Sequence, residues 1–90
     1  MADPDPSGVP RLTLLSRQGC HLCEDARGVV AAAAAETGTS WVERDVDSSE
    51  ALADEYGDRV PVLLLDGKEH AYWRVDPERL RAALAGRRTW

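Results

Sequence analysis

A short apolar run, Arg11-Leu-Thr-Leu-Leu-Ser16, is followed by a long helix-favouring stretch and then by a second strand-like run, Trp41-Val-Glu-Arg-Asp-Val46. This succession constrains the fold more than any other feature. A strand, a helix and a strand in one sheet require a parallel strand pair joined by a right-handed crossover. The first run ends near Gly19 and reads as a buried strand. In the helical stretch, from about His21 to Glu36, Leu22, Ala26, Val29, Val30 and Ala33 recur at spacings of three and four and define one apolar face. The alanines from Ala31 to Ala35 suit it, because alanine is the strongest helix former. Gly38 is expected to end it as a left-handed cap.

The remaining segments extend this unit. Asp47 and Glu50 have the spacing of a capping box, which predicts a short helix holding Leu52 and Tyr56 with Gly57 after its last turn. Val60-Pro-Val-Leu-Leu-Leu65 is a continuous apolar run, the pattern of a strand covered on both faces. Asp66-Gly67 is a hairpin turn signal. Ala71-Tyr-Trp-Arg-Val75 is expected to return as an antiparallel strand, with Tyr72 and Trp73 on alternate faces, so that at most one lies in the core. Asp76-Pro77 reads as an N-cap followed by proline at the first helical position, and Leu80, Ala83 and Leu84 give the last helix its buried face before Gly86. The order is β-α-β-α-β-β-α. The fold class is α/β, a mixed four-stranded sheet with helices on both faces. Residues 1–10, with Asp3-Pro4-Asp5-Pro6 and Ser7-Gly8, read as a flexible tail; 11–86 form the domain; 87–90 form a C-terminal tail.

Composition narrows the function. Ninety residues, 9.8 kDa, suffice for one domain. Eleven basic against sixteen acidic residues give a net charge of −5, which weighs against nucleic acid and anionic membranes as partners. No apolar run approaches the roughly 18 residues of a spanning helix. Met1 to Pro10 lacks the basic start and apolar stretch of a secretory signal, so a cytoplasmic location is the expectation. The two cysteines are too few for the disulfide framework of a small secreted domain.

They stand as Cys20-His21-Leu22-Cys23, where the first strand gives way to the first helix. Residues three apart on a helix have Cβ atoms about 5–6 Å apart. The implied Cα separation fits the usual disulfide window of about 4.4–6.8 Å. Free N–H groups and the positive dipole end at a helix start favour a thiolate. Cys20, nearest the helix end, is the expected attacking thiolate, and Cys23, one turn deeper, the resolving thiol of an exchange through a mixed disulfide. Arg17 and a protonated His21 help a thiolate there, whereas Glu24 and Asp25 oppose it. The same thiolates also suit a metal- or cluster-binding module, but zinc usually takes four ligands, the further candidates are only His21 and His70, and the adjacency of His21 and Cys20 hinders convergence on one ion. Sharing a site between two chains keeps that alternative open, and a redox-silent scaffold that keeps the fold without exchange activity is a third reading. The expected enzyme has no resident metal or cofactor, acts as a monomer, and meets a disulfide-containing protein or a small-molecule thiol.

The stretch Leu14-Leu15-Ser16-Arg17-Gln18-Gly19-Cys20-His21-Leu22-Cys23, the pair Val60-Pro61 and the element order resemble the glutaredoxins, within the thioredoxin fold superfamily, over about residues 11–85. The resemblance implies thiol-disulfide exchange with Cys20 as nucleophile and Cys23 as resolving residue. It implies that Arg17, three positions before the first cysteine, contacts the carboxylate of glutathione as a low-molecular-weight co-substrate. It implies a cis bond before Pro61, packed beside the dithiol, with the Val60 backbone pairing with a peptide or glutathione as an added strand. Two features depart from the family pattern. His21 and Leu22 fill the dithiol loop where proline or glycine is common. Trp73-Arg74-Val75-Asp76 replaces a Gly-Gly turn, with Asp76 either matching the family's polar residue or serving as a helix cap.

Overall fold

The computed structural model describes residues 11–86; the two expected tails lie outside the described residues. Strand β1 (Leu12–Ser16) runs into helix α1 (His21–Thr37), which returns the chain to strand β2 (Trp41–Asp45). β1 and β2 are parallel, with Leu12 opposite Trp41 and Ser16 opposite Asp45. A 3-10 turn at Val46–Ser48, helix α2 (Glu50–Tyr56) and a second 3-10 turn at Gly57–Arg59 lead to strand β3 (Val62–Leu65). Strand β4 (Lys68–Tyr72) and helix α3 (Pro77–Gly86) complete the described chain. The sheet order is β2-β1-β3-β4, with β3 antiparallel to both neighbours. This is the mixed four-stranded α/β sheet that the segment order implies.

The α1 face forms the core with the sheet. Leu12, Leu14 and Leu63 pack with Ala26, Val30, Ala33 and Ala34 of α1 and Leu80 and Leu84 of α3 in one buried cluster. Cys23, not Leu22, shares the buried side of α1, while Leu22 stays partly exposed. Leu15 and Val62 are also buried, on the opposite face of the sheet by the alternation of strand side chains. Both faces of β1 and β3 are therefore covered, as the uninterrupted apolar run from Val60 to Leu65 requires.

Local signals set the element ends. Gly38 has φ +67 and its N–H bonds the Ala34 carbonyl, closing α1 with a left-handed residue. Asp66 and Gly67 both have positive φ, 53° and 86°, the pattern of a two-residue hairpin turn whose twist suits the flanking strands. Because that turn is so tight, β4 begins at Lys68 directly opposite Leu65. The return strand thus lies earlier than the apolar segment 71–75 suggests: Trp73 leaves it with φ +65, and Tyr72 and Trp73 both stay on the surface. Asp47 and Glu50 do not form a capping box. Asp47 belongs to the 3-10 turn and its carboxylate is taken by Arg17, while Ser49 caps α2 through the Leu52 N–H. Asp76 does cap α3, accepting from the Glu78 and Arg79 N–H groups.

Candidate active site

The site begins at the end of β1. Gly19, at φ +77, takes a left-handed conformation that a side chain would strain, and turns the chain into α1. Cys20 is then the N-cap residue, extended at φ −101° and ψ 112°. Its sulfur accepts the Cys23 N–H at 3.2 Å, and its carbonyl accepts the Glu24 N–H at 3.3 Å. The Cys20 side chain thus does the work of a capping oxygen at the positive end of a helix.

The two thiols differ in setting. Cys20 is partly exposed and Cys23 is buried, and both are free thiols. Burial pushes the Cys23 thiol up to about 11, and its hydrogen bond to the Cys20 sulfur works in the same direction. The Arg17 backbone opposes this by bonding the Cys23 sulfur, and the Glu43 charge adds to the rise. Cys23 is therefore a shielded thiol that holds its proton.

Glu43 belongs to a polar cluster that the sequence reading missed. Its carboxylate accepts from Arg27 Nε and Nη2, each at 2.7 Å, and from Ser16 Oγ at 2.7 Å. Arg27 holds the Glu43 carboxyl below its usual range. Ser16 ends β1, Glu43 lies on β2, and Arg27 follows Cys23 by one helical turn. That i to i+4 step from Cys23, together with the parallel pairing of β1 and β2, is the signal that leads to the cluster.

The other residues named from the sequence are placed as follows. His21 is the exposed first residue of α1. Arg17 is engaged within the chain: Nε and Nη2 each reach an Asp47 carboxylate oxygen at 2.9 Å, and Nη1 donates to the Gly57 carbonyl at 3.2 Å. A Cβ on Gly57 would stand 3.1 Å from Arg17 Nη2, so a glycine keeps that contact open. The Val60-Pro61 bond is cis, as the resemblance implied, and Pro61 is buried. Val60 is extended, at φ −62° and ψ 145°.

Trp73 joins the proline loop to a groove. Its N–H bonds the Pro61 carbonyl at 2.8 Å and the Arg59 carbonyl at 3.3 Å. The Arg74 N–H bonds the Tyr72 carbonyl at 2.7 Å, making a γ-turn centred on Trp73, whose φ of +65 is rarely adopted by any residue with a side chain. Between this turn and α1 runs a groove of about 310 Å³, with Leu22, Ala26, Val29 and Val75 as its apolar lining. Leu22, from between the cysteines, and Trp73, bonded to the proline loop, thus border one recess. The groove shows that Trp73-Arg74-Val75-Asp76, standing in place of a Gly-Gly turn, leaves space beside Leu22. Among the described residues, no three His, Cys, Asp or Glu side chains gather as candidate metal ligands, and no helix is long and apolar enough to cross a membrane.

A family model described as Glutaredoxin-like domain (DUF836) matches residues 11–85, which is nearly all of the described chain. This chain belongs to that glutaredoxin-like family. The glutaredoxin-like chain is 43% identical over 81 residues to Rv0508, an uncharacterized protein of Mycobacterium tuberculosis, a match spanning 84% of each chain. An X-ray structure of a structural-genomics target from X. campestris superposes with a TM-score of 0.69 at 39% identity, covering 83% of the glutaredoxin-like chain and 96% of the other. A glutaredoxin from Archaeoglobus fulgidus shares the fold, with a TM-score of 0.57 at 16% identity, covering 88% of this chain and 89% of that one. The glutaredoxin-like family and its thioredoxin-like fold are consistent with a redox role.

Proposed function

We propose that this glutaredoxin-like chain is a thiol-disulfide oxidoreductase whose reacting groups are Cys20 and Cys23. The observation that carries the reading is the asymmetry of the pair: a partly exposed sulfur at a helix N-terminus that accepts the Cys23 N–H, backed by the buried Cys23 thiol.

The Cys20 thiolate attacks one sulfur of a substrate disulfide. A bond forms between Cys20 and that sulfur, the substrate's S–S bond breaks, and the second substrate sulfur leaves as a thiolate that takes up a proton. Cys23 then gives up its proton to solvent and attacks the Cys20 sulfur. The mixed disulfide breaks, the remaining substrate thiolate departs, and Cys20 and Cys23 are left joined. Two electrons have passed from the dithiol to the substrate. An external thiol reductant, with a small-molecule thiol such as glutathione or a reductase as the candidates, restores the pair by the same steps. The extended Val60 backbone before Pro61 supports a role in pairing with an extended substrate segment.

Replacing each cysteine separates the two steps. Cys20→Ser is expected to abolish reduction of a model disulfide. Cys23→Ser is expected to complete the first step and accumulate a Cys20 mixed disulfide, read as added mass. Full activity in Cys20→Ser would overturn the assignment. The wild-type dithiol is expected to titrate reversibly against thiol buffers at a potential within about −120 to −270 mV.

A further inference from the structure

The groove beside Leu22 combines an apolar lining with unequal charge at its border. Its apolar lining is open to solvent, and Trp73, 54% exposed, forms one wall with Tyr72 packed edge-on against it at 5.2 Å between ring centres. Two carboxylates, Asp25 on α1 and Asp76 at the start of α3, also border it, against one guanidinium, Arg74. The recess is therefore apolar with an excess of negative charge. Arg17, the cation that the family pattern reserves for an anionic thiol, is held by Asp47 and the Gly57 carbonyl.

Trp73 gives the second argument. A γ-turn with positive central φ favours glycine, yet a tryptophan stands there with its indole on the surface. Non-glycine residues in such conformations cluster at ligand-binding positions, where the aim of the side chain matters. Here the turn is fixed from behind by the bonds from the Trp73 N–H to Pro61 and Arg59.

We propose that this groove docks a peptide segment of a protein disulfide, with an apolar residue laid against Trp73 and a neighbouring basic residue facing Asp25 and Asp76. The inference rests on the exchange reading above and specifies its substrate: a cystine in a protein segment of apolar and basic character, in preference to a small anionic disulfide. Aromatic side chains are the usual anchors of docking surfaces because they bury much area at little conformational cost. The opposing charges supply selectivity more than affinity.

The test compares synthetic peptides that carry one disulfide flanked by Leu-Lys or by Ser-Glu, together with glutathione disulfide and uncharged hydroxyethyl disulfide. The full chain is expected to reduce the Leu-Lys peptide with a kcat/KM about tenfold above those of the Ser-Glu peptide and glutathione disulfide. Trp73→Gly suits the local φ and retains the backbone N–H, so the turn persists. It is expected to lower kcat/KM for the Leu-Lys peptide about tenfold relative to hydroxyethyl disulfide, as loss of an aromatic anchor does. Asp25→Lys is expected to move the preference toward the Ser-Glu peptide. Equal kcat/KM for the two peptides, a preference for glutathione disulfide, or an equal loss on all substrates in Trp73→Gly would overturn the docking inference while leaving exchange intact. If the wild type reduces none of these disulfides, including the uncharged one, the exchange reading fails and the docking inference falls with it.

Discussion

At the scale of the residue, the chain makes two chemically identical side chains unlike. Cys23 ordinarily titrates near 9, and burial in the fold raises it to about 11. A folded value above the unfolded one means that the buried neutral thiol contributes stability below about pH 9, and that this contribution is lost as pH climbs through about 11. Between those limits the wild type is expected to lose on the order of 2 kcal/mol more than Cys23→Ala, measured by urea unfolding under reducing conditions. Iodoacetamide at neutral pH is expected to modify Cys20 well before Cys23, read by mass mapping, and the reverse order would contradict the burial described here. The position of Cys20 at a helix start was legible from the spacing after a strand. The bond from Arg17 to Asp47 was not, because it joins residues 30 apart in sequence and competes with a local cap that Asp47 would otherwise provide.

At the scale of the element, legibility followed the locality of each signal. Gly38, Asp66-Gly67 and Asp76-Pro77 act within a few residues, and the caps and the turn lie where those residues stand. Gly38→Ala places a Cβ in open space but forces it into a left-handed backbone. The expected cost is about 1 kcal/mol, a fall of about 4–8 °C in the midpoint of thermal unfolding for a domain of this size, with exchange activity retained. The limits of β4 were harder to read because its first residues, Lys68 and Glu69, are polar and exposed, whereas the more apolar Trp73 and Val75 lie beyond its end. A strand on the sheet margin need not be apolar on both faces, and the continuation into a γ-turn depends on Trp73 bonding the Pro61 carbonyl, a contact that sequence alone does not announce.

At the scale of the whole molecule, the strand-helix-strand unit and the following hairpin gave the class of sheet, while the placement of β1 between β2 and β3 emerged from the fold. One small core joins α1, α3 and the sheet, so each large side chain in it carries much of the total stability, on the order of 5–15 kcal/mol for a domain. Leu80, fully buried, links α3 to that core. Leu80→Ala is expected to cost about 2–5 kcal/mol, seen as a lower urea midpoint, and to loosen the segment from Trp73 to Asp76 that α3 anchors. The outer strands have a different consequence. β2 ends in Glu43, Arg44 and Asp45, and β4 begins with Lys68 and Glu69, so both open margins of the sheet carry charge. Such margins discourage backbone pairing between molecules, which keeps a protein with an open-sided sheet from growing into fibrils at high concentration.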